Sequence, residues 1–151
     1  MYYNLITNKN KGENNMKRTD YTVKIVEMSR ELSLTEELYI KGGPDAVTID
    51  SIMDGQEALI IDIDFYCVAE IHNENAKNDK DYRTIYLIDK SGMVYQSSSK
   101  SLINSIDDIC DILSEHEAAI TDYPIKVVAI PSKNYAGKNF YKANVLLKKG
   151  E

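Results

Sequence analysis

Three features of this 151-residue sequence predict a mainly β fold carrying one long helix. Apolar residues alternate with period two along several runs, the longest being EALIIDIDFYCVAEIH at 57–72. Only SLINSIDDICDILSEHE at 101–117 spaces its apolar residues as a helix does over several turns. Polar, glycine-containing turns separate the alternating runs at hairpin distances. A chain of this length makes one domain with a sizeable core.

The elements follow in order. Residues 1–20 are polar, rich in Asn and Lys and without periodic apolar residues, which predicts a flexible tail; Met16, followed by Lys17-Arg18, is an alternative start. YTVKIVEM at 21–28 alternates and reads as a strand. Ser33-Leu34-Thr35-Glu36 is an S-x-x-E capping box, so LTEELYIK forms a short helix that ends at Gly42-Gly43-Pro44. In the run 57–72, Leu59, Ile61, Ile63, Phe65, Cys67 and Ala69 face one way, against Ile60, Asp62, Asp64, Tyr66, Val68 and Glu70. Such a strand, about 50 Å long at roughly 3.3 Å per residue, must bend to stay on a small domain, as barrel strands do. NENAKNDKD at 73–81 is a polar hairpin loop, and YRTIYLID at 82–89 sets Ile85 and Leu87 against Tyr82, Thr84 and Tyr86. Lys90-Ser91-Gly92 turns into MVYQSSS at 93–99, and the amphipathic helix at 101–117 follows. IKVVAI at 125–130, the loop PSKNYAGKN at 131–139 and FYKANVLLKK form a closing hairpin. Five to six strands, with one helix inserted between the third and fourth strands of the barrel, is the plan of the OB-fold, a partly open Greek-key barrel, here over residues 21–149.

No apolar run reaches the roughly 18–20 residues of a membrane span, and the first fifteen residues lack a secretory leader pattern. Cys67 and Cys110 sit apart within apolar segments and read as free thiols in a reducing, cytoplasmic setting. The net charge of −6 is unevenly spread. Residues 1–30 carry six Lys/Arg against three acids, residues 31–123 six against twenty, and residues 124–151 six against one. A fold that joins the two ends builds a basic patch on an acidic body, and the acidic body suppresses indiscriminate sticking to duplex or membrane.

Signatures of catalysis are sparse. No nucleophile elbow, P-loop or dinucleotide fingerprint occurs. His72 and His116 have no partner spacing and read as solvated histidines. Asp62 and Asp64 share a strand face, and a hydrolase built on them requires a divalent metal. The expectation is a non-enzyme with no cofactor and no metal.

The aromatic inventory points to binding. There are eleven tyrosines, two phenylalanines and no tryptophan. Tyr66, Tyr82, Tyr86, Tyr135 and Phe140 fall opposite the expected core or in loops, where they offer faces for base stacking. Arg83, Lys100, Lys126, Lys133, Lys138 and Lys142 lie near them and are candidates for phosphate pairing. Stacking plus phosphate pairing is how sequence-tolerant single-strand binders work, at roughly 1–3 kcal/mol per stacked base. The other reading is an OB-like protein-interaction module, an inhibitor or assembly factor, using the acidic helix or an apolar patch at Phe140 and Leu146. An interaction patch has few lysines around its aromatic.

Two stretches resemble a known family. TIYLIDKSGMVYQSSSKSLINSIDDICDIL (84–113) carries Asp89, Gly92, Tyr95, Ser99-Lys100-Ser101 and the acidic helix Asp107–Leu113. IKVVAIPSKNYAGKNFYKANVLL (125–147) carries Ile125-Lys126-Val127-Val128 and Gly137-Lys138-Asn139-Phe140. Together, with ELSLTEELYIKGGPDAVTIDSIMDGQ (31–56) upstream, they resemble the single-stranded-DNA-binding proteins of tailed bacteriophages over about residues 21–147. The resemblance implies an OB-fold that coats and protects single-stranded DNA during phage replication or recombination in the host cytoplasm. Single-stranded DNA is then the ligand, phage or host replication proteins and further copies along the strand are the partners, and no membrane is involved.

Overall fold

The longest alternating run does not stay in one sheet. The computed structural model, which describes residues 20–134 and 139–147, splits it at Asp62 into β3 (Ala58–Ile61) and β4 (Ile63–Asn73). β4 lies between β1 (Tyr21–Met28) and β5 (Asp81–Asp89), and the sheet continues through β6 (Val94–Ser97) to the two-residue β2 (Val47–Thr48). β3 pairs instead with β7 (Ile125–Pro131), which pairs with β8 (Asn139–Val145) in a second, three-stranded sheet. The corner between the sheets is pinned. Asp62 N–H donates to Asp89 Oδ2 at 3.0 Å, Lys90 N–H donates to the Asp62 carbonyl at 2.8 Å, and Lys90 Nζ lies 3.4 Å from Asp62 Oδ1.

Just past the corner the register slips between Ile63 and Phe65, so Asp64 is the extra residue of a bulge. One extra residue exchanges the two faces of everything downstream. Ile61 and Ile63 point into the main core, and after the bulge Tyr66 and Val68 do so, whereas Phe65, Cys67, Ala69 and Ile71 turn to the opposite side. The single alternation expected over 57–72 is therefore corrected to two alternations of opposite phase.

The main core lies between the two sheets and α3 (Lys100–Glu115), which supplies Leu102, Ile103 and Ile106. Ile61, Ile63, Ile85, Leu87, Ile106 and Ile125 are fully buried there. Complete burial of each such side chain stabilises by about 1.5–3 kcal/mol. The sheets do not close into a full barrel: among the described residues, β8 has no strand neighbour except β7. α3 packs along β8, with Ser101 Oγ donating to the Tyr141 carbonyl at 2.9 Å. A long bent strand shared by both sheets, a meander, one helix and a closing hairpin make this an OB-like, partly open β architecture. Among the described residues it counts eight strands, because the bent strand is counted twice and β1 and β2 extend the larger sheet.

The outer face of the larger sheet is also covered. α1 (Leu34–Lys41) begins at the expected capping box, with Glu36 N–H donating to Ser33 Oγ at 3.1 Å and Ser33 N–H to Glu36 Oε1 at 2.9 Å. Arg30 forks onto both Glu36 oxygens at 2.9 and 3.0 Å and lies 4.2 Å over the Phe65 ring. That guanidinium, with the Ser33 amide, holds the Glu36 carboxyl down at about 2. Leu32, Ile40 and Ala46 of this segment join Val23 and Ile25 over Phe65, Cys67, Ala69, Tyr86 and Val94, making a second core. α2 (Ile49–Ile52), a single turn the sequence did not announce, buries Ile49. The polar tail expected at 1–20 lies outside the described residues apart from Asp20.

Candidate nucleic-acid interface

The outward face of the three-stranded sheet follows from its register. Phe140 stands opposite Ile130, Lys142 opposite Val128 and Asn144 opposite Lys126, while β3 sets Ala58 beside Val128 and Ile60 beside Lys126. Alternation puts all of these on one side, because Val127, Tyr141 and Ala143 between them point into the core. Phe140 is 37% exposed and Ile60 48%. Lys126 and Lys142 are exposed and make no ion pair among the described residues. An aromatic face, aliphatic flanks and two uncommitted ammonium groups thus share one side of one sheet.

A cleft of about 1090 Å³ opens between the protruding ends of β1, β4 and β5 and the start of α3. Lys24, Glu70 and Arg83 form one row across its three strands, with Thr22, His72 and Asp81 in the next. Lys100 and Asn104 line the opposite wall. Ser98 and Lys100 also line a smaller depression of about 470 Å³ that contains Asn139 and Phe140, so the cleft and the Phe140 region adjoin. The first turn of α3 has no acidic residue, and its cap Ser99 accepts from Leu102 N–H at 3.3 Å. The amide end of this helix adds partial positive charge beside Lys100.

At the tip of the β4–β5 hairpin, His72 Nδ1 lies 2.7 Å from Asp81 Oδ1 and Nε2 lies 2.9 Å from Glu74 Oε1. Ionised carboxylates only accept, so two such contacts call for a doubly protonated ring. The hydrogen bond to Asp81, then that to Glu74, raises the His72 pKa. His72 is therefore clamped rather than simply solvated as its sequence context implied.

The predicted site residues divide. Phe140, Lys126 and Lys142 are brought together on one face, and Lys133 is exposed just beyond β7. Lys100 joins that region to the cleft, where Arg83 is exposed and Tyr82 sits half-buried at the rim. Arg83 is already engaged, with Nη2 at 3.1 Å from Glu70 and Nη1 at 3.6 Å from Glu27. The expected exposure of Tyr66 and Tyr86 is corrected. Tyr66 is only 5% exposed because the bulge at Asp64 turns it inward, where its hydroxyl donates to Cys110 Sγ at 3.2 Å. Tyr86 is 4% exposed because the α1 segment covers its face, and burial pushes its hydroxyl up to about 12. Neither ring is open to stack on a base. Tyr135 and Lys138 lie outside the described residues. Lys24 and Ile60 were missed: Lys24 enters the site only through the long-range pairing of β1 with β4, and Ile60 was counted simply as one of a strand's alternating residues.

Asp62 and Asp64 do not act as a pair. Asp62 meets Lys90 at the corner, whereas Asp64 on the bulge lies 4.0 Å from Arg30. Among the described residues, no group of three or more His, Cys, Asp or Glu is placed to hold a metal ion.

An OB-like open barrel with an aromatic and cationic face belongs to a class of scaffold suited to extended strands of nucleic acid. Residues 45–144, well over half of the chain, match the family model described as phage single-stranded DNA-binding protein, and the chain belongs to that family. The match takes in α3, the Phe140 face and every strand of the two sheets except β1, which precedes it together with α1. No curated protein and no solved structure matches the chain.

Proposed function

We propose that this protein coats and protects single-stranded DNA during phage replication or recombination in the host cytoplasm, as a sequence-tolerant binder and not as an enzyme. Family membership supports single-stranded DNA as the ligand. The observation that carries the assignment of residues is the exposed Phe140, which shares its face with Lys142 and Lys126. A base stacks on Phe140 and packs against Ile130, and the two ammonium groups pair with flanking phosphates. Every base has a π-face and every nucleotide a phosphate, so this chemistry tolerates any sequence. From Phe140 the strand continues past Lys100 towards Tyr82 along the adjoining depressions. Lysines around the aromatic favour this reading over a protein-interaction module.

The test is fluorescence anisotropy with labelled oligo-dT. Phe140→Ala is expected to weaken binding about thirtyfold, the middle of the roughly 1–3 kcal/mol range for a lost stacking platform. Lys142→Ala is expected to weaken it less and to flatten the slope of log K against log salt by about 0.7, the value for one single-strand phosphate contact. Both side chains are exposed, so circular dichroism should match the parent. Unchanged affinity in both variants would overturn the assignment of this face.

A further inference from the structure

The floor of the large cleft carries a charge ladder that the proposed DNA path does not explain. Glu70 stands directly between Lys24 and Arg83 in register across β1, β4 and β5. Directly opposed side chains in a sheet have Cβ atoms roughly 4.5–5.5 Å apart, so Lys24 stands beside the carboxylate that Arg83 holds. Arg83 Nη2 is 3.1 Å from Glu70 Oε2, and its second arm is held more loosely by Glu27 at 3.6 Å. Lys100 faces them from the α3 wall. Asp79 and Asp81 line the same cleft, and Asp81 is engaged by His72.

A guanidinium fork that accepts a carboxylate accepts a phosphate by the same geometry. The ion pair here is about half exposed on both sides, and exposed pairs of this kind are weakly held and readily exchanged. We propose that Glu70 occupies a phosphate seat formed by Lys24 and Arg83, and that a backbone phosphodiester of bound single-stranded DNA displaces it. The protein thus carries its own anionic competitor in a second binding segment. Glu70 sets the affinity and salt sensitivity of that segment without touching a base. The displaced carboxylate stays in water at the cleft mouth, so no buried charge is left behind. This inference rests on the single-stranded-DNA reading of the preceding subsection.

The experiment compares the full chain with Glu70→Gln, Arg83→Gln, Glu70→Gln/Arg83→Gln and Glu115→Gln, using labelled oligo-dT long enough to span cleft and sheet. Glu115 is exposed at the far end of α3, about 20 Å from Lys100 at about 1.5 Å per residue, so Glu115→Gln makes the same change in net charge away from the seat. Glu70→Gln is expected to tighten binding about three- to tenfold at about 50 mM NaCl, with the gain shrinking by about 200 mM. Arg83→Gln is expected to weaken binding and flatten the salt slope, and the double variant to lose the gain of Glu70→Gln. The inference is overturned if Glu70→Gln leaves binding unchanged or weakens it, or if Glu115→Gln tightens binding equally. In either case the parent still binds oligo-dT and Phe140→Ala still weakens it, so the single-strand reading survives. A parent chain that does not bind oligo-dT overturns both.

Discussion

Asp107 on α3 shares a hydrogen bond with Glu27 of β1, and burial together with that neighbour pushes its carboxyl up to about 6. Asp111 adds to the repulsion, and Arg83 opposes it only weakly. The sign of the consequence follows from linkage. A folded pKa above the unfolded value near 3.8 means that the protonated form is favoured in the fold. Its stabilisation is complete below about pH 3.8 and is lost as pH rises through about 6. Asp107→Asn should therefore stabilise the protein by about 1 kcal/mol at pH 8, a value discounted for partial exposure, and the gain should fade towards pH 4. Urea unfolding midpoints at the two pH values check this, and a larger gain at the acid end would contradict it. Tyr66 teaches a related lesson. A tyrosine on the nominal outer side of a strand is no evidence of a stacking platform until the strand's phase is known.

At the scale of elements, the sequence made some features legible and hid others for identifiable reasons. α1 was readable because a capping box is a local device: Ser33 and Glu36 satisfy each other's backbone amides within four residues. Ser33→Ala should cost about 1 kcal/mol by urea unfolding, since it unties the helix that covers Phe65 and Tyr86. A change within a few tenths would mean that Arg30 and the apolar contacts of Ile40 hold α1 without the cap. α3 was readable from the spacing of Leu102, Ile106, Ile109 and Leu113. The run 57–72 was readable as a strand that must bend, but the bulge at Asp64 leaves no mark in an alternating pattern. It arises from pairing with β5, a long-range event. The outer face of β5 was assigned correctly for Tyr86, yet alternation names a face without saying what covers it. Phe140, Lys126 and Lys142 were legible together because β7 and β8 form one hairpin, whose register brings near neighbours in sequence side by side.

The whole molecule explains how a protein with net charge −6 can suit an anionic strand. Six of the eighteen basic residues lie in 124–151 against one acid, and of their described members Lys126, Lys133 and Lys142, Lys126 and Lys142 project from the same sheet. The acids concentrate in 31–123, including Asp107, Asp108 and Asp111 on α3. Such an arrangement gives a local cationic track on a body that repels stray polyanions, so binding should be strongly salt-dependent and selective for a flexible strand. The most direct test is anisotropy of labelled oligo-dT, with a matched duplex as control, titrated with the parent chain across a series of NaCl concentrations. The account predicts saturable binding to the single strand, much weaker binding to the duplex, and a log–log salt slope of about −3 from four or five phosphate contacts at about 0.7 each. Absence of single-strand binding, or equal binding of the duplex, would contradict it.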